Sequence, residues 1–442
     1  MMDRRTWQLL MIGLGTALVP LDSAVNIAFP AITQGFGLAI QDIQWVVICY
    51  LLTYISLLLA MGRIGDLFGH ALVFRVGLVW SAAALLLSAV APSYPALLAC
   101  RVLQGVGAAL VLSCGPALST SLFAEERRSR VLGVYTMGWA LGMALGPWLG
   151  GALVQAWGWP AVFWFRVPVA ALALLLLRGL PDQPRRSGPA AFDLLGAGLL
   201  ALALLLLLLC FNRLGHWLAL PLGIFAVAAG AGFVCQERRA AQPMLDLRVF
   251  GAPGFAGLNI AYLITNLAGF SVWLLVPFYL TRATGLSLTL AGAVLSAGSF
   301  GMTAGALAGG RLIGRLSAGR LSIIGTLLTG LGLGAIAPWQ PETATPLLLL
   351  ALVVQGTGLG LFQVAYTDLV TAAMPREHRG VAGSLAMLTR TIGTVSAAAL
   401  LLLLFQALAA TTGFMPAFQR VFLLAALLPF LMAGLLALPK RR

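Results

Sequence analysis

Long apolar segments separated by short polar stretches make up almost the whole chain. Fourteen of them can be read from the sequence, at roughly 7–31, 44–61, 72–91, 95–118, 131–154, 161–178, 193–211, 217–235, 255–280, 288–310, 321–338, 345–370, 381–408 and 418–438. About 20 apolar residues are enough for a helix to cross the hydrocarbon core of a bilayer. The intervening stretches are too short for a soluble domain, so the pattern predicts an all-α polytopic membrane protein of about 14 transmembrane helices.

The composition supports a surface that faces lipid. Of the 442 residues, 60% are hydrophobic and 9% are charged, whereas about a quarter of the residues of a soluble globular protein are charged. The formal net charge of +14 does not indicate a nucleic-acid partner, because the basic residues lie almost entirely in short loops between apolar segments. The five cysteines lie in or at the ends of apolar segments without the spacing of metal ligands, which favours a packing role and predicts no metal or cofactor.

The distribution of basic residues predicts the orientation in the membrane. If the N-terminus is cytoplasmic, 21 of the 27 Lys and Arg residues lie on the cytoplasmic side. Three lie on the other side, namely Arg213, Arg282 and Arg420. The remaining three lie within spans, namely Arg101, Arg166 and Arg390. By the positive-inside rule, both termini are expected in the cytoplasm.

Two short motifs occur twice. The run Val102–Gly107 returns as Val353–Gly358, and Gly62–Ile64 returns as Gly310–Leu312, at offsets of 251 and 248 residues. The concordant offsets predict two homologous six-helix halves, a common construction of secondary transporters. The expected organisation is an N-terminal half at 1–178, a cytoplasmic linker at 179–192, an additional helix pair at 193–236 and a C-terminal half at 237–442.

The segment Leu21–Pro30, with the sequence LDSAVNIAFP, is similar to the first-helix signature of a known transporter family. It resembles the fourteen-helix drug:proton antiporter branch of the major facilitator superfamily, and the resemblance covers nearly the whole chain. It implies the major facilitator fold, with two six-helix halves and an inserted helix pair. It also implies a secondary active transporter that exports small amphipathic or lipophilic compounds in exchange for protons.

Two charged residues within spans are candidates for proton or cation coupling. Asp22 lies about 22 Å along the first apolar segment, at 1.5 Å per residue, where an ionised carboxylate is costly unless it is paired or faces water. It either binds a proton or cation in a central cavity or is a structural acid that holds neighbouring helices. Arg101, with Gln104, Gly105 and Gly107, resembles the family's fourth-helix coupling motif, and simple helix attachment is an equal alternative.

Two glycine motifs carry further implications of the resemblance. The run Gly62–Gly69 resembles the cytoplasmic loop motif after the second helix, which implies a gating role for Gly62, Asp66 and Gly69. His70 and Ala71 stand where the family usually has basic residues. A second motif resembles the fifth-helix antiporter motif, which is largely confined to exporters, and consists of Gly138, Gly142, Gly146, Pro147, Gly150 and Gly151. The spacing of four residues also gives a smooth face for helix packing.

Aromatic and polar residues scattered through the spans are candidates for a substrate cavity, with packing or lipid contact as the alternative. They are Asn26, Tyr50, Tyr54, Trp139, Asn259, Tyr262, Asn266, Trp273, Phe362, Gln363 and Tyr366. In the second half, Arg379–Gly383 with Arg390 and Gly393 resembles the branch's thirteenth helix. Asp368 is expected to be an interfacial acid paired with a nearby arginine.

The sequence excludes an ATP-driven pump, because the only lysine is Lys440 and a phosphate-binding loop needs one after its glycines. No enzyme motif accompanies the three histidines. We therefore expect an exporter driven by protons, with a small-molecule substrate and the bilayer as its partners, no nucleotide or nucleic acid, a monomeric state and a location in a bacterial plasma (inner) membrane. The alternatives are a metabolite or sugar uniporter or symporter of the same fold, and a non-transporting membrane scaffold or receptor.

Overall fold

A computed structural model describes residues 4–121, 128–177, 193–213, 216–240, 254–313, 315–373 and 379–438. Within these ranges the regular structure is helical, and the only β-type pairing is an isolated bridge between Ile313 and Leu316. The α-helices are α1 (Arg4–Ala17), α2 (Ala24–Ile27), α3 (Phe29–Gly35), α4 (Gln44–Phe68), α5 (His70–Ala89), α6 (Tyr94–Ser121), α7 (Arg128–Trp157), α8 (Ala161–Trp164), α9 (Arg166–Leu176), α10 (Leu194–Asn212), α11 (Ala219–Arg239), α12 (Phe255–Phe278), α13 (Leu288–Leu312), α14 (Ala318–Ile336), α15 (Thr345–Ala373), α16 (Arg379–Thr412) and α17 (Phe414–Ala437).

Nine helices in the described ranges are long and apolar enough to cross a membrane. A bent pair, Met11–Ile27 with Phe29–Phe36, is a tenth span if the two pieces are counted together. The expectation of an all-helical polytopic membrane protein is therefore confirmed. The count of 14 helices and the cytoplasmic position of both termini stay predictions.

The first span is not the continuous helix that the apolar segment 7–31 predicts. After α1, a 3-10 turn at Pro20–Ser23 leads into the short helices α2 and α3, and the chain bends by 62° between Ile27 and Phe29. Pro20 and Pro30 explain the interruptions, because proline lacks the backbone N–H that a continuous helix requires and is tolerated best in a first helical turn. Asp22 consequently lies on a 3-10 turn inside the membrane-spanning unit.

The chain forms two compact units, Met1–Ala201 and Leu202–Arg442. In the first unit, α6 packs against α4 and α5, while α1 packs against α7 and α9. In the second unit, α15 packs between α13 and α14, and α12 packs against α16 and α17. The boundary between the units falls within α10.

Both copies of the repeated Gln-Gly motif lie at close helix contacts. A Cβ atom at Gly105 would lie 2.6 Å from the Cβ of Thr53 on α4, and one at Gly356 would collide with the backbone carbonyl of Gly298 on α13. Glycine at these positions lets the helix backbones approach closely. The motif therefore has a packing role in each unit, whatever else it does.

Candidate functional site

An ion pair inside the membrane-spanning part of the first unit joins Asp22 to Arg101. Nη1 of Arg101 donates to Oδ1 of Asp22 at 2.8 Å, and Nη2 donates to Oδ2 at 2.7 Å. This two-point arrangement is the strongest geometry for an arginine–carboxylate pair. The two residues that the sequence indicates as coupling candidates are thus in direct contact.

A second arginine, Arg166, joins the same carboxylate. It is the first residue of α9, and its Nη1 donates to Oδ1 of Asp22 at 2.8 Å. Sequence reasoning places Arg166 within a span but misses its part in this cluster. A signal was nevertheless present, because an arginine stays charged in proteins and needs an acceptor when it is buried.

The guanidinium of Arg101 is held from several sides. Nε donates to the carbonyl of Val46 at 2.7 Å, and Nη1 donates to Oε1 of Gln104 at 2.7 Å. Nε2 of Gln104 in turn donates to Oδ1 of Asp22 at 3.0 Å. The guanidinium carbon lies 4.4 Å from the ring centroid of Tyr50, within the range of a cation–π contact. Arg101 therefore has one fixed position, set by α4, α6 and the broken first span.

The cluster carries an excess positive charge. Arg101 and Arg166 are 1% and 0% exposed, whereas the carboxylate of Asp22 remains 12% exposed. Two cations face one anion, and their proximity stabilises the ionised carboxylate in this conformation. In the part of the chain that the structure describes, Nη2 of Arg166 and the hydroxyl of Tyr50 are buried without a hydrogen-bond partner. The carboxylate is the most accessible of the three charged groups.

The antiporter-type glycines of α7 face the broken first span. They are Gly138, Gly142, Gly146 and Gly150. A Cβ atom at Gly142 would lie 2.7 Å from Cγ of Pro20, and one at Gly150 would lie 2.7 Å from the carbonyl oxygen of Ala24. Pro147 lies within α7, and Gly151 is buried beside Gly150. The motif lets α7 fit against the turn that carries Asp22.

Gly146 makes the tightest of these contacts. A Cβ atom there would collide with Oγ of Ser23, the residue next to Asp22. The Ser23 hydroxyl donates to the carbonyl of Met143 on α7 at 3.4 Å. The glycine face of α7 and the coupling candidate are therefore parts of one local structure.

The predicted gating motif lies where α4 joins α5. Gly69 separates the two helices with φ at +96°, a conformation that residues with a side chain rarely adopt. Gly62 lies on α4 and faces α6, since a Cβ atom there would be 3.7 Å from Cβ of Ser113. The side chains of Arg63 and Asp66 lie outside the residues whose side chains the structure describes, and the gating role stays a prediction.

The predicted cavity residues of the first unit divide by burial. Tyr50 and Tyr54 are buried on α4, with ring centroids 5.4 Å apart. Asn26 and Trp139 are half-buried. Tyr50 contacts Arg101 and therefore lies next to the ion cluster of Asp22, Arg101 and Arg166.

The predicted cavity residues of the second unit form a polar and aromatic cluster. Tyr262 and Tyr366 stack with ring centroids 3.8 Å apart, and Phe362 meets Tyr262 edge-on. The Tyr366 hydroxyl donates to Oδ1 of Asn259 at 2.6 Å. These four residues are buried, whereas three others remain half-buried, namely Asn266, Trp273 and Gln363. A role in substrate binding stays a prediction for the whole set.

The expected ion pair of Asp368 does not involve any arginine whose side chain the structure describes. Asp368 is exposed near the end of α15, and none of those arginines forms a salt bridge with it. An exposed carboxylate is solvated without a partner, and a surface ion pair adds little stability. The side chains of Arg376 and Arg379 lie outside the described residues, so a pair with either of them stays a prediction.

Comparison with known proteins places the chain in a family. The family model described as Major Facilitator Superfamily matches residues 12–236 and 258–442. The tetracenomycin C resistance and export protein of Streptomyces glaucescens is 31% identical over 88% of this chain and 74% of its own length. The riboflavin transporter RibZ of Clostridioides difficile is 27% identical over 85% of this chain and 83% of its own length.

A solved structure supports the fold. The crystal structure of a bacterial homologue of the human lysosomal transporter Spinster matches with a TM-score of 0.73. The match covers 99% of this chain and 97% of the other, at 17% sequence identity. At that identity the likeness concerns the architecture alone.

Proposed function

Because the chain belongs to the Major Facilitator Superfamily and to its drug-efflux branch, we propose that it exports small amphipathic or lipophilic compounds in exchange for protons by alternating access. The chain is an integral membrane protein, and we place it as a monomer in a bacterial plasma membrane. We further propose that the chain has fourteen transmembrane helices and that both of its termini lie in the cytoplasm. Export of toxic compounds by such a protein would confer antibiotic resistance.

The observation that carries the proposal is the contact of one carboxylate with two buried arginines. In the conformation described, Asp22 is stabilised as the anion by Arg101 and Arg166. A proton that binds Asp22 would leave two adjacent guanidinium groups without a counter-ion, which is strongly unfavourable at a buried position. Protonation therefore favours separation of the first span from α6 and α9, and this separation links proton binding to a conformational change.

A proton gradient supplies enough free energy for such export. One proton crossing 100 mV yields about 2.3 kcal/mol, and one pH unit adds about 1.4 kcal/mol. Together they sustain a gradient of several hundred-fold for a neutral substrate, at about 1.4 kcal/mol per factor of ten. For a monovalent cation exchanged one for one, the charge movement cancels and only the pH contribution remains.

Metabolite transport is the second candidate, and the relative named as a riboflavin transporter favours it. The glycine motif of α7 weighs toward export in either case, since it resembles a motif largely confined to exporters. A scaffold or receptor has no need for the costly cluster of Asp22, Arg101 and Arg166 within a span.

Export and proton exchange are tested separately. A panel of toxic aromatic compounds, including tetracenomycin C, is compared for growth inhibition in cells that express the wild type, Asp22→Asn or no transporter. We expect resistance to at least one compound with the wild type only. Purified protein in liposomes with a pH-sensitive dye inside then reports whether that compound dissipates an imposed pH gradient. Export without proton movement would refute the antiport mechanism while leaving the export function intact.

A further inference from the structure

The second unit contains a half-buried cation that the proposed mechanism does not use. Arg390 lies on α16, at the start of the apolar stretch Thr389–Thr412. A guanidinium remains charged in such a position and requires an acceptor. Among the residues that the structure describes, no carboxylate pairs with it, in contrast to Arg101 and Arg166 in the first unit.

The neighbours of Arg390 form one polar network. Thr389, the preceding residue, donates to Oδ1 of Asn259 at 3.3 Å, and that oxygen also accepts from Tyr366. Thr389 meets Asn259 and Gly393 meets Leu263 on α12, so Arg390 is level with Tyr262 along the contact of the two helices. These contacts place Arg390 at the edge of the stacked tyrosine pair.

Close helix packing fixes this edge. Gly393 lies one turn beyond Arg390, and a Cβ atom there would collide with the backbone carbonyl of Leu263 and lie 3.3 Å from Cβ of Asn266 on α12. Asn266 is half-buried, and Tyr262 one turn before it is buried. The accessible polar group that α12 offers beside this part of α16 is therefore the amide of Asn266.

None of the acids described in this unit forms a salt bridge with Arg390. They are Glu237, Glu342 and Asp368. Glu237 lies near the end of α11, Glu342 lies in the loop before α15, and Asp368 is exposed. An arginine without a carboxylate partner among the described residues is suited to an anion, since hydrogen bonds with a charged partner are about twice as strong as neutral ones.

We propose that Arg390, with Asn266 and Tyr262, binds the acidic group of an amphipathic aromatic substrate, such as a carboxylate, phenolate or enolate. This inference rests on the proposed export function and names its substrate class. It predicts that the transporter prefers acidic or neutral aromatic compounds to lipophilic cations.

Two dyes that share a ring system distinguish the effect of the ligand's charge on affinity from the effect of its shape. Fluorescein is anionic and rhodamine 123 is cationic, and both contain a xanthene core. Fluorescence anisotropy with the purified full chain in a non-ionic detergent, at neutral pH and without a gradient, measures the affinity for each. We expect the wild type to bind fluorescein about tenfold more tightly or better.

The variants assign this preference to Arg390. Arg390→Met is expected to weaken fluorescein binding about tenfold or more and to leave rhodamine 123 binding unchanged or improved. Arg390→Lys, which keeps the charge, is expected to retain most of the affinity. Arg420→Met is the matched control, because Arg420 is exposed on α17 in the same unit and its loss is expected to change neither affinity. Size-exclusion chromatography checks that each variant is monodisperse.

Three results would overturn the inference. They are a preference of the wild type for rhodamine 123, an equal loss of both dyes in Arg390→Met, and a response to anionic lipid alone. The last result is tested by comparing the stability of the protein in nanodiscs of phosphatidylglycerol and of phosphatidylcholine. If phosphatidylglycerol stabilises the wild type but not Arg390→Met, and fluorescein does not bind, the arginine binds a lipid headgroup instead. Dye binding needs no proton gradient, so a failure of the antiport mechanism does not affect this result.

Discussion

Gly146 of α7 approaches Ser23 so closely that a Cβ atom at Gly146 would collide with the Ser23 hydroxyl oxygen. Ser23 is next to Asp22, which two arginines hold within 2.8 Å. The glycine face of α7 therefore contacts the turn that carries Asp22, the candidate coupling carboxylate. This contact joins the antiporter-type motif to the candidate proton site within a single unit.

Replacement of Gly146 by alanine is expected to impair export by displacing the 3-10 turn at Pro20–Ser23. Overpacking of a tight contact costs about 1–3 kcal/mol, and a shift of the turn also misaligns Asp22 with its arginines. Gly13→Ala on α1 is the control, since a Cβ atom there has no neighbour within 4 Å. Resistance in a growth assay and dye efflux from cells measure both variants, and equal activity of the two would contradict the link.

Asp22→Asn is expected to abolish export driven by a pH gradient and to destabilise the protein. Removal of one partner from a buried ion pair costs about 3–5 kcal/mol, because Arg101 and Arg166 lose their counter-ion. Asp22→Glu keeps the charge and is expected to retain part of both properties. Thermal unfolding in detergent measures stability, and dissipation of a pH gradient in liposomes measures coupling. Intact proton exchange in Asp22→Asn would exclude this carboxylate as the proton site.

Arg101→Met is expected to harm both stability and export more than Arg166→Met. Arg101 makes two hydrogen bonds to Asp22 and others to Val46 and Gln104, whereas Arg166 makes one to the carboxylate. Loss of Arg166 leaves a balanced pair, while loss of Arg101 removes the two-point contact. Unfolding temperature and efflux rate rank the two variants, and the reverse order would contradict the assignment of Arg101 as the main partner.

A double-mutant cycle isolates the contact between Asp22 and Arg166. The combination of Asp22→Asn with Arg166→Met is expected to be less destabilised than the sum of the single variants. Residues in direct contact commonly show coupling energies of about 0.5–3 kcal/mol. Additive effects would mean that the 2.8 Å contact contributes nothing to stability.

The sequence located two members of the cluster but not their arrangement. Asp22 and Arg101 were recognisable because ionisable residues within apolar segments are costly and require partners. Arg166 was visible for the same reason, yet it lies 144 residues from Asp22. Which buried cations meet which carboxylate depends on the packing of α6, α9 and the first span, and apolar periodicity contains no information on that packing.

The length of the apolar segments was enough to predict an all-helical membrane protein. It was not enough to predict the break in the first span. Pro20 and Pro30 were visible signals of interruption, but prolines also occur within continuous helices of this chain, such as Pro147 in α7. The effect of a proline depends on whether neighbouring helices supply compensating contacts. For the exposed Asp368, proximity to arginines along the chain favours an ion pair, which stays a prediction because the side chains of Arg376 and Arg379 lie outside the described residues.

Gly69→Ala tests the connection between α4 and α5. With φ at +96°, Gly69 occupies a conformation in which a Cβ atom is strained, and such strain costs of the order of 1–3 kcal/mol. Gly310→Ala is a suitable control, because Gly310 lies on a helix with open space around a Cβ atom. We expect a lower unfolding temperature for Gly69→Ala only. If export falls further than the loss of folded protein explains, the turn also acts in the conformational change, whereas a loss in proportion to folded protein limits Gly69 to a structural role.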